Sequence, residues 1–171
     1  MSLYVQESDF KGQTDTAKDI FSKSDLQEYI DKFEVRYLQD LLGCELYEEF
    51  ATDFAITGTS PTDPKFIQIW NSFCKDNSCG IERSEGIKEM LVMFINFEYK
   101  RDQPVKNNIG GNQINMQENS TSAASTASNM YTVYNQALES YNAIQWCICD
   151  NSNNYDWSSY NGQDKGIIGY F

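Results

Sequence analysis

The sequence predicts an all-α fold, a short helical bundle of about five helices with a long polar loop before the last helix and extended N- and C-terminal arms. Three observations predict it. Apolar residues recur at helical spacing from Leu26 to Ile148. Capping and breaking residues punctuate those stripes at intervals that suit helices. At 40% hydrophobic residues, a chain of 171 residues has enough apolar material to bury one core. The division that follows is an N-terminal arm at 1–23, a helical domain at 24–150 with its loop at 106–121, and a C-terminal arm at 151–171.

The first helix opens at Ser24, which forms a capping box with Gln27, and its stripe is Leu26, Tyr29, Ile30, Phe33, Tyr37, Leu38 and Leu41. Gly43 ends it, and Leu46, Tyr47, Phe50 and Phe54 mark a second, shorter helix. Asp63 as N-cap and Pro64 at the first helical position start a third, carrying Phe66, Ile69, Trp70 and Phe73. Ser84 caps the fourth, with Glu85 in its first turn, Lys100 and Arg101 in its last, and Pro104 as its stop, so its charges complement the helix dipole. Ile87, Met90, Leu91, Phe94 and Ile95 face one way and Val92, Met93 and Phe97 flank them, which makes this helix apolar nearly all round and therefore central. The last helix runs from about Ser122 to Cys149 on the stripe Met130, Val133, Ala137, Tyr141, Ile144 and Ile148, a length of ~40 Å. Leu26, Ile30, Phe33, Trp70, Leu91, Phe94 and Ile144 are the expected core.

Composition excludes several classes of function. With 25 acidic against 13 basic residues the net charge is −12, so the surface repels a nucleic-acid backbone. The opening "MSLYVQESDF" has neither a basic nor an apolar signal region, and "MLVMFINF" is far shorter than a bilayer span, so neither a secretory signal nor membrane insertion is expected. Five cysteines then read as reduced thiols. The chain has no histidine, which removes histidine-based triads and His-metal sites. Cys74, Cys79, Cys147 and Cys149 do not suit zinc, because Cys-x-Cys within a helix points its thiols to nearly opposite sides. Asp150, Ser152, Asn154 and Asp156 alternate as in a calcium loop, but Tyr155 stands where glycine is needed and Asn161 where glutamate is needed. The acidic run Asp40, Glu45, Glu48, Glu49 and Asp53 has no nucleophile or oxyanion donor beside it and reads as a solvated helix face. No enzymatic activity, cofactor or metal is expected.

What remains is contact with other proteins. The loop "KNNIGGNQINMQENSTSAAST" carries Asn112, Gln113, Asn115, Gln117 and Asn119 for exchanging hydrogen bonds, and Ile114 and Met116 for shallow pockets. Aromatics spaced through polar arms, Tyr4 and Phe10 at one end and Tyr155, Trp157, Tyr160, Tyr170 and Phe171 at the other, suit anchoring in a partner's pockets.

The succession "LQEYIDKFEVRYLQDLLGCELYEEF", "DPKFIQIWNSF", "GIKEMLVMFINFEYKRDQ", a polar glycine-containing loop and "ENS" before a long helix resembles the head-tail connector (adaptor) proteins of tailed phages. Among these it most resembles the neck ring proteins of crAss-like phages. The likeness spans Leu26 to Ile148 and rests on Gly86, Ile87, Lys88, Met90, Leu91, Phe94, Phe97, Glu98, Tyr99, Arg101 and Asp102, and on Glu118-Asn119-Ser120. It implies a structural virion protein, assembled in the host cytoplasm into a homo-oligomeric, usually twelvefold ring of the phage neck. Such a ring contacts the portal and adjacent neck or tail proteins, with the loop before the last helix reaching a neighbour, and passes DNA without reading it. The charge alone also allows a second reading, an acidic helical inhibitor or DNA mimic that binds a basic protein.

Overall fold

The computed structural model describes residues 4–15, 20–77, 80–102, 105–108, 111–114, 123–151, 154–155 and 160–166, with 20–24, 77, 80, 105–108, 111–114 and 123–128 as backbone alone. Among them are four α-helices, α1 (Ile20–Thr57), α2 (Pro64–Trp70), α3 (Ile87–Asp102) and α4 (Ala123–Asp150). Two antiparallel hairpins join them, β1 (Phe73–Asn77) with β2 (Gly80–Ser84) and β3 (Val105–Asn108) with β4 (Gly111–Ile114). The fold is mostly all-α as expected, with four helices instead of about five.

The count differs because the stretches on either side of Gly43 form one bent element. Gly43 has φ 74° and ψ 172° inside α1, so the helix breaks there and turns without a loop. The bend is sharp. Glu34 and Phe50 would stand about 24 Å apart along an unbroken helix, yet Tyr4 touches both. Its backbone N–H donates to Glu34 at 3.1 Å, and its ring lies 5.5 Å from Phe50 and 4.8 Å from Phe54. A Cβ on Gly43 would also collide with the amide of Asn161, because the C-terminal segment crosses the bend. That segment satisfies carbonyls released where the first half of α1 ends: Gln163 N–H donates to Asp40 O at 2.6 Å and Tyr160 Oη to Leu41 O at 2.8 Å. Lys165 adds a cation at that helix end, 2.8 Å from the Asp40 carboxylate and over the rings of Tyr37 and Tyr141.

α3 is the central helix. Every residue from Met90 to Tyr99 is buried, including the polar Asn96 and Glu98. Asn96 donates to Thr14 O at 2.7 Å, and Tyr37 donates to Glu98 Oε1 at 2.7 Å while Arg101 pairs by charge with Oε2 at 2.6 Å. Phe94 is the hub, stacked on Tyr37 of α1 at 4.4 Å and edge-on to Tyr134 and Tyr141 of α4. Of the expected core, Leu26, Ile30, Phe33, Leu91, Phe94 and Ile144 are buried, and Trp70 is partly buried against them.

Several boundaries move. α1 starts at Ile20, four residues before the proposed cap, so Ser24 lies inside the helix. α2 starts as read, with Asp63 accepting from Lys65 N–H at 2.9 Å, but it ends at Trp70. Phe73 is therefore a strand residue, since Asn71 is already extended and the chain pairs Phe73 with Ser84. Ser84 closes β2 instead of capping α3, its hydroxyl accepting from Gly86 N–H at 3.0 Å. The cap position falls to Gly86, at φ 89° and with no room for a Cβ against the carbonyl of Trp70. Pro104 lies outside the described residues.

Gly43→Ala combines an unfavourable φ with the Asn161 collision and is expected to cost about 2–4 kcal/mol, lowering the melting temperature by roughly 5–15 °C. Adding Asn161→Gly should recover part of that loss, and calorimetry of both variants checks it. Phe94→Asp places an unpaired carboxylate among three aromatic rings, at an expected cost of about 4 kcal/mol or more. A soluble variant melting within a few degrees of wild type would show that Phe94 is not the hub.

Candidate functional site

The polar loop has regular structure where it is described. Its first half forms the β3–β4 hairpin, in which Asn112, Gln113 and Ile114 stand on β4 opposite Asn107, Lys106 and Val105. That hairpin replaces the structureless connection read from composition, because Val105–Asn108 pairs antiparallel with Gly111–Ile114. β3 and β4 form a two-stranded sheet of their own. Asn115, Met116, Gln117 and Asn119 lie outside the described residues.

The arms behave differently from the partner anchors expected of them. Tyr4 and Phe10 are buried in the chain's own core, and so is Tyr155, whose hydroxyl donates to Lys65 O at 2.7 Å. Tyr160 packs on that core and is tied to Leu41, and burial pushes its hydroxyl up to about 12. The reason is local. Gln6 and Lys11 each donate a backbone N–H to a side chain three residues on, Asp9 and Thr14, so the N-terminal arm folds as two 3-10 turns with no need of periodicity. Lys88 pairs with Asp9 at 2.8 Å and Lys100 donates to Gln13 O at 3.1 Å, strapping that arm along α3. Trp157, Tyr170 and Phe171 lie outside the described residues.

The acidic run is divided by the bend. Asp40 belongs to the Lys165 pair, whereas Glu45, Glu48, Glu49 and Asp53 line a cleft of ≈ 660 Å³ with Asp63 and Lys65. Glu49 pairs with Lys65 at 2.7 Å. Asp53 accepts from Thr62 N–H at 2.7 Å, from Asp63 N–H at 3.1 Å and from the Thr62 hydroxyl, so it secures the loop before α2. Among the described residues, no group of three or more His, Cys, Asp or Glu side chains is placed to hold a metal. Burial pushes the thiols of Cys147 and Cys149 up, away from thiolate chemistry.

Sequence reasoning missed a further surface on α4. Trp146 is 59% exposed, and Ile81 on β2 is 60% exposed across a cleft of ≈ 550 Å³ from it. A second cleft, of ≈ 420 Å³, lies on the other side of Trp146 against Tyr160, Gly162 and Asp164. Position 146 falls outside the stripe of Tyr141, Ile144 and Ile148, on the face that exposes Glu139, Asn142 and Asp150. A large aromatic on a polar helical face was the available signal.

Comparison with protein-family models, curated proteins and solved structures finds no match to this chain. Among the described residues, no helix is long and apolar enough to cross a membrane.

The Asp53 carboxylate is pushed up by burial, but the Thr62 hydroxyl and the amides of Asp63 and Thr62 outweigh that and hold it below its ordinary range. Its contribution to stability is therefore present above the unfolded carboxylate pKa and lost as pH falls through the lowered one. Asp53→Asn should melt below wild type at pH 7, and the gap should close on acidification, as read by thermal melts across the acid range. A gap unchanged at low pH would remove the carboxylate from this role.

Proposed function

We propose that this chain is a structural subunit of a tailed-phage neck, forming a ring between portal and tail through which DNA passes. The observation that carries the reading is the β3–β4 hairpin with its polar continuation, inserted between α3 and α4, the two helices that build most of the core. An insertion at that place is not required to close the bundle, and loops set on a rigid scaffold are where binding residues concentrate. Three further observations support it. The sequence resembles connector proteins over most of the helical domain. The net charge of −12 suits a wall past which DNA slides without sticking. The bundle is rigidly cross-braced by its own arms, which suits a subunit that transmits load.

The DNA-mimic reading is weakened by the fate of the acidic run. Glu49 is neutralised by Lys65, and Asp53 is spent on the loop before α2, so the row does not present a continuous series of free carboxylates.

Replacing Asn108–Gln117 with a Gly/Ser linker of equal length should leave the melting temperature of the isolated subunit within a few degrees of wild type. The same change should reduce neck-containing particles at least tenfold in a complementation assay, because cross-interface hydrogen bonds are lost and the ordering cost rises. Normal particle yield would overturn the assignment of the hairpin to assembly. Rings of this subunit on its portal, seen by electron microscopy, are the direct expectation.

A further inference from the structure

Trp146 forms a ridge between two clefts that its own subunit leaves open. An aromatic side chain offers 150–250 Å² of largely apolar surface, and most of this one faces solvent while the neighbouring Ala143, Ile144 and Cys147 are buried. The walls are already in place. Tyr141 Oη and Gln145 Nε2 both donate to Gln163 O, at 2.6 and 3.0 Å, and Tyr160 is held by Leu41 O, so the C-terminal segment forms a fixed border to one cleft. Ile81 stands on the outer face of its hairpin, at the border of the other. Such preformed pockets reduce the ordering cost of binding.

Charge decides what fits. Glu82, Glu139, Asp150 and Asp164 surround the ridge, against Arg83 and against Lys75, which is itself paired with Asp150. We infer that the Trp146 ridge is a docking site for a basic segment of a different protein, one carrying a long aliphatic or aromatic side chain beside Lys or Arg. The apolar side chain enters a cleft, and the cation lies over the indole face or against a carboxylate. A second copy of this chain is poorly suited to the role. It brings a net charge of −12, and its Lys65, Lys75, Lys88, Arg101 and Lys165 are paired within the subunit. The site uses no residue of the β3–β4 hairpin and stands apart from the neck assignment.

The test uses the full chain and a fluorescently labelled synthetic peptide of about 18 residues with Lys and Leu at helical spacing. Control peptides replace every Lys by Glu or every Leu by Ser. The Lys/Leu peptide should bind by anisotropy, the Glu version should not, and the Ser version should bind at least tenfold more weakly. Trp146→Ala and, independently, Ile81→Ser should each weaken binding, the former at least tenfold, with melting temperatures within about 2 °C of wild type because both sites are exposed. The double variant Glu139→Gln/Asp164→Asn should weaken binding several-fold and flatten its salt dependence. The hairpin replacement should bind the peptide as wild type does, which separates this site from the neck reading. Affinity within twofold of wild type in Trp146→Ala, or equal binding of the Glu peptide, would overturn the inference. So would self-association of the chain that Trp146→Ala abolishes, since the ridge would then belong to a second copy.

Discussion

The bend at Gly43 is the constraint on which the rest of this structure depends. Breaking a helix in its middle frees carbonyls that a continuous helix would satisfy, and a buried bend cannot leave them to water. The chain answers with its own C-terminus, whose Gln163 amide and Tyr160 hydroxyl take the carbonyls of Asp40 and Leu41. The bend also opens an elbow between the two halves of α1, and Tyr4 fills it, with Glu34 accepting the backbone amides of Tyr4 and Val5. Both chain ends are thus drawn to one break, and glycine suits it twice over, for its positive φ and for the space that Asn161 occupies.

The same logic explains how α3 tolerates polar residues at the centre of the bundle. A helix buried on all sides has no solvent-facing stripe for Asn96 and Glu98, so each must find a partner on a neighbouring element. Asn96 takes the Thr14 carbonyl from the N-terminal segment, and Glu98 takes the Tyr37 hydroxyl from α1. Tyr37 is at once a hydrogen-bond donor, the stacking partner of Phe94 and the ring beneath Lys165. The described part of the N-terminal arm is accordingly packed into the core beside α3.

This accounts for what the sequence made legible. α3, α4 and the Asp63–Pro64 start of α2 were readable because each is specified locally, by a stripe at helical spacing or by a cap within four residues. The arms were not, because Tyr4, Phe10, Tyr155 and Tyr160 act singly at long sequence separation, and isolated aromatics in polar chain carry no period. The β1–β2 hairpin escaped for a related reason: its inner pairs, Phe73–Ser84 and Lys75–Glu82, alternate with outer ones that include Ile81, so hydrophobicity along each strand does not alternate cleanly. Gly43 was rightly seen as a break, but a break with a turn and a break without one look alike in sequence.

Spending these aromatics internally narrows what the chain exposes. Tyr4, Phe10 and Tyr155, which composition marked as anchors, are buried, whereas Trp146 stands exposed on α4 and the β3–β4 hairpin forms a sheet of its own. They differ in kind. The hairpin is polar in sequence, with Asn107, Asn108, Asn112 and Gln113 on its strands, whereas the ridge is apolar within an acidic rim. Helix α4 carries Trp146 close to its far end, a rise of about 35 Å from Ala123 along a continuous rod. Because α4 is packed on α3 through Tyr134 and Tyr141 around Phe94, the Trp146 ridge stands on a stiff element braced against the centre of the bundle, and its shape does not depend on anything outside that packing.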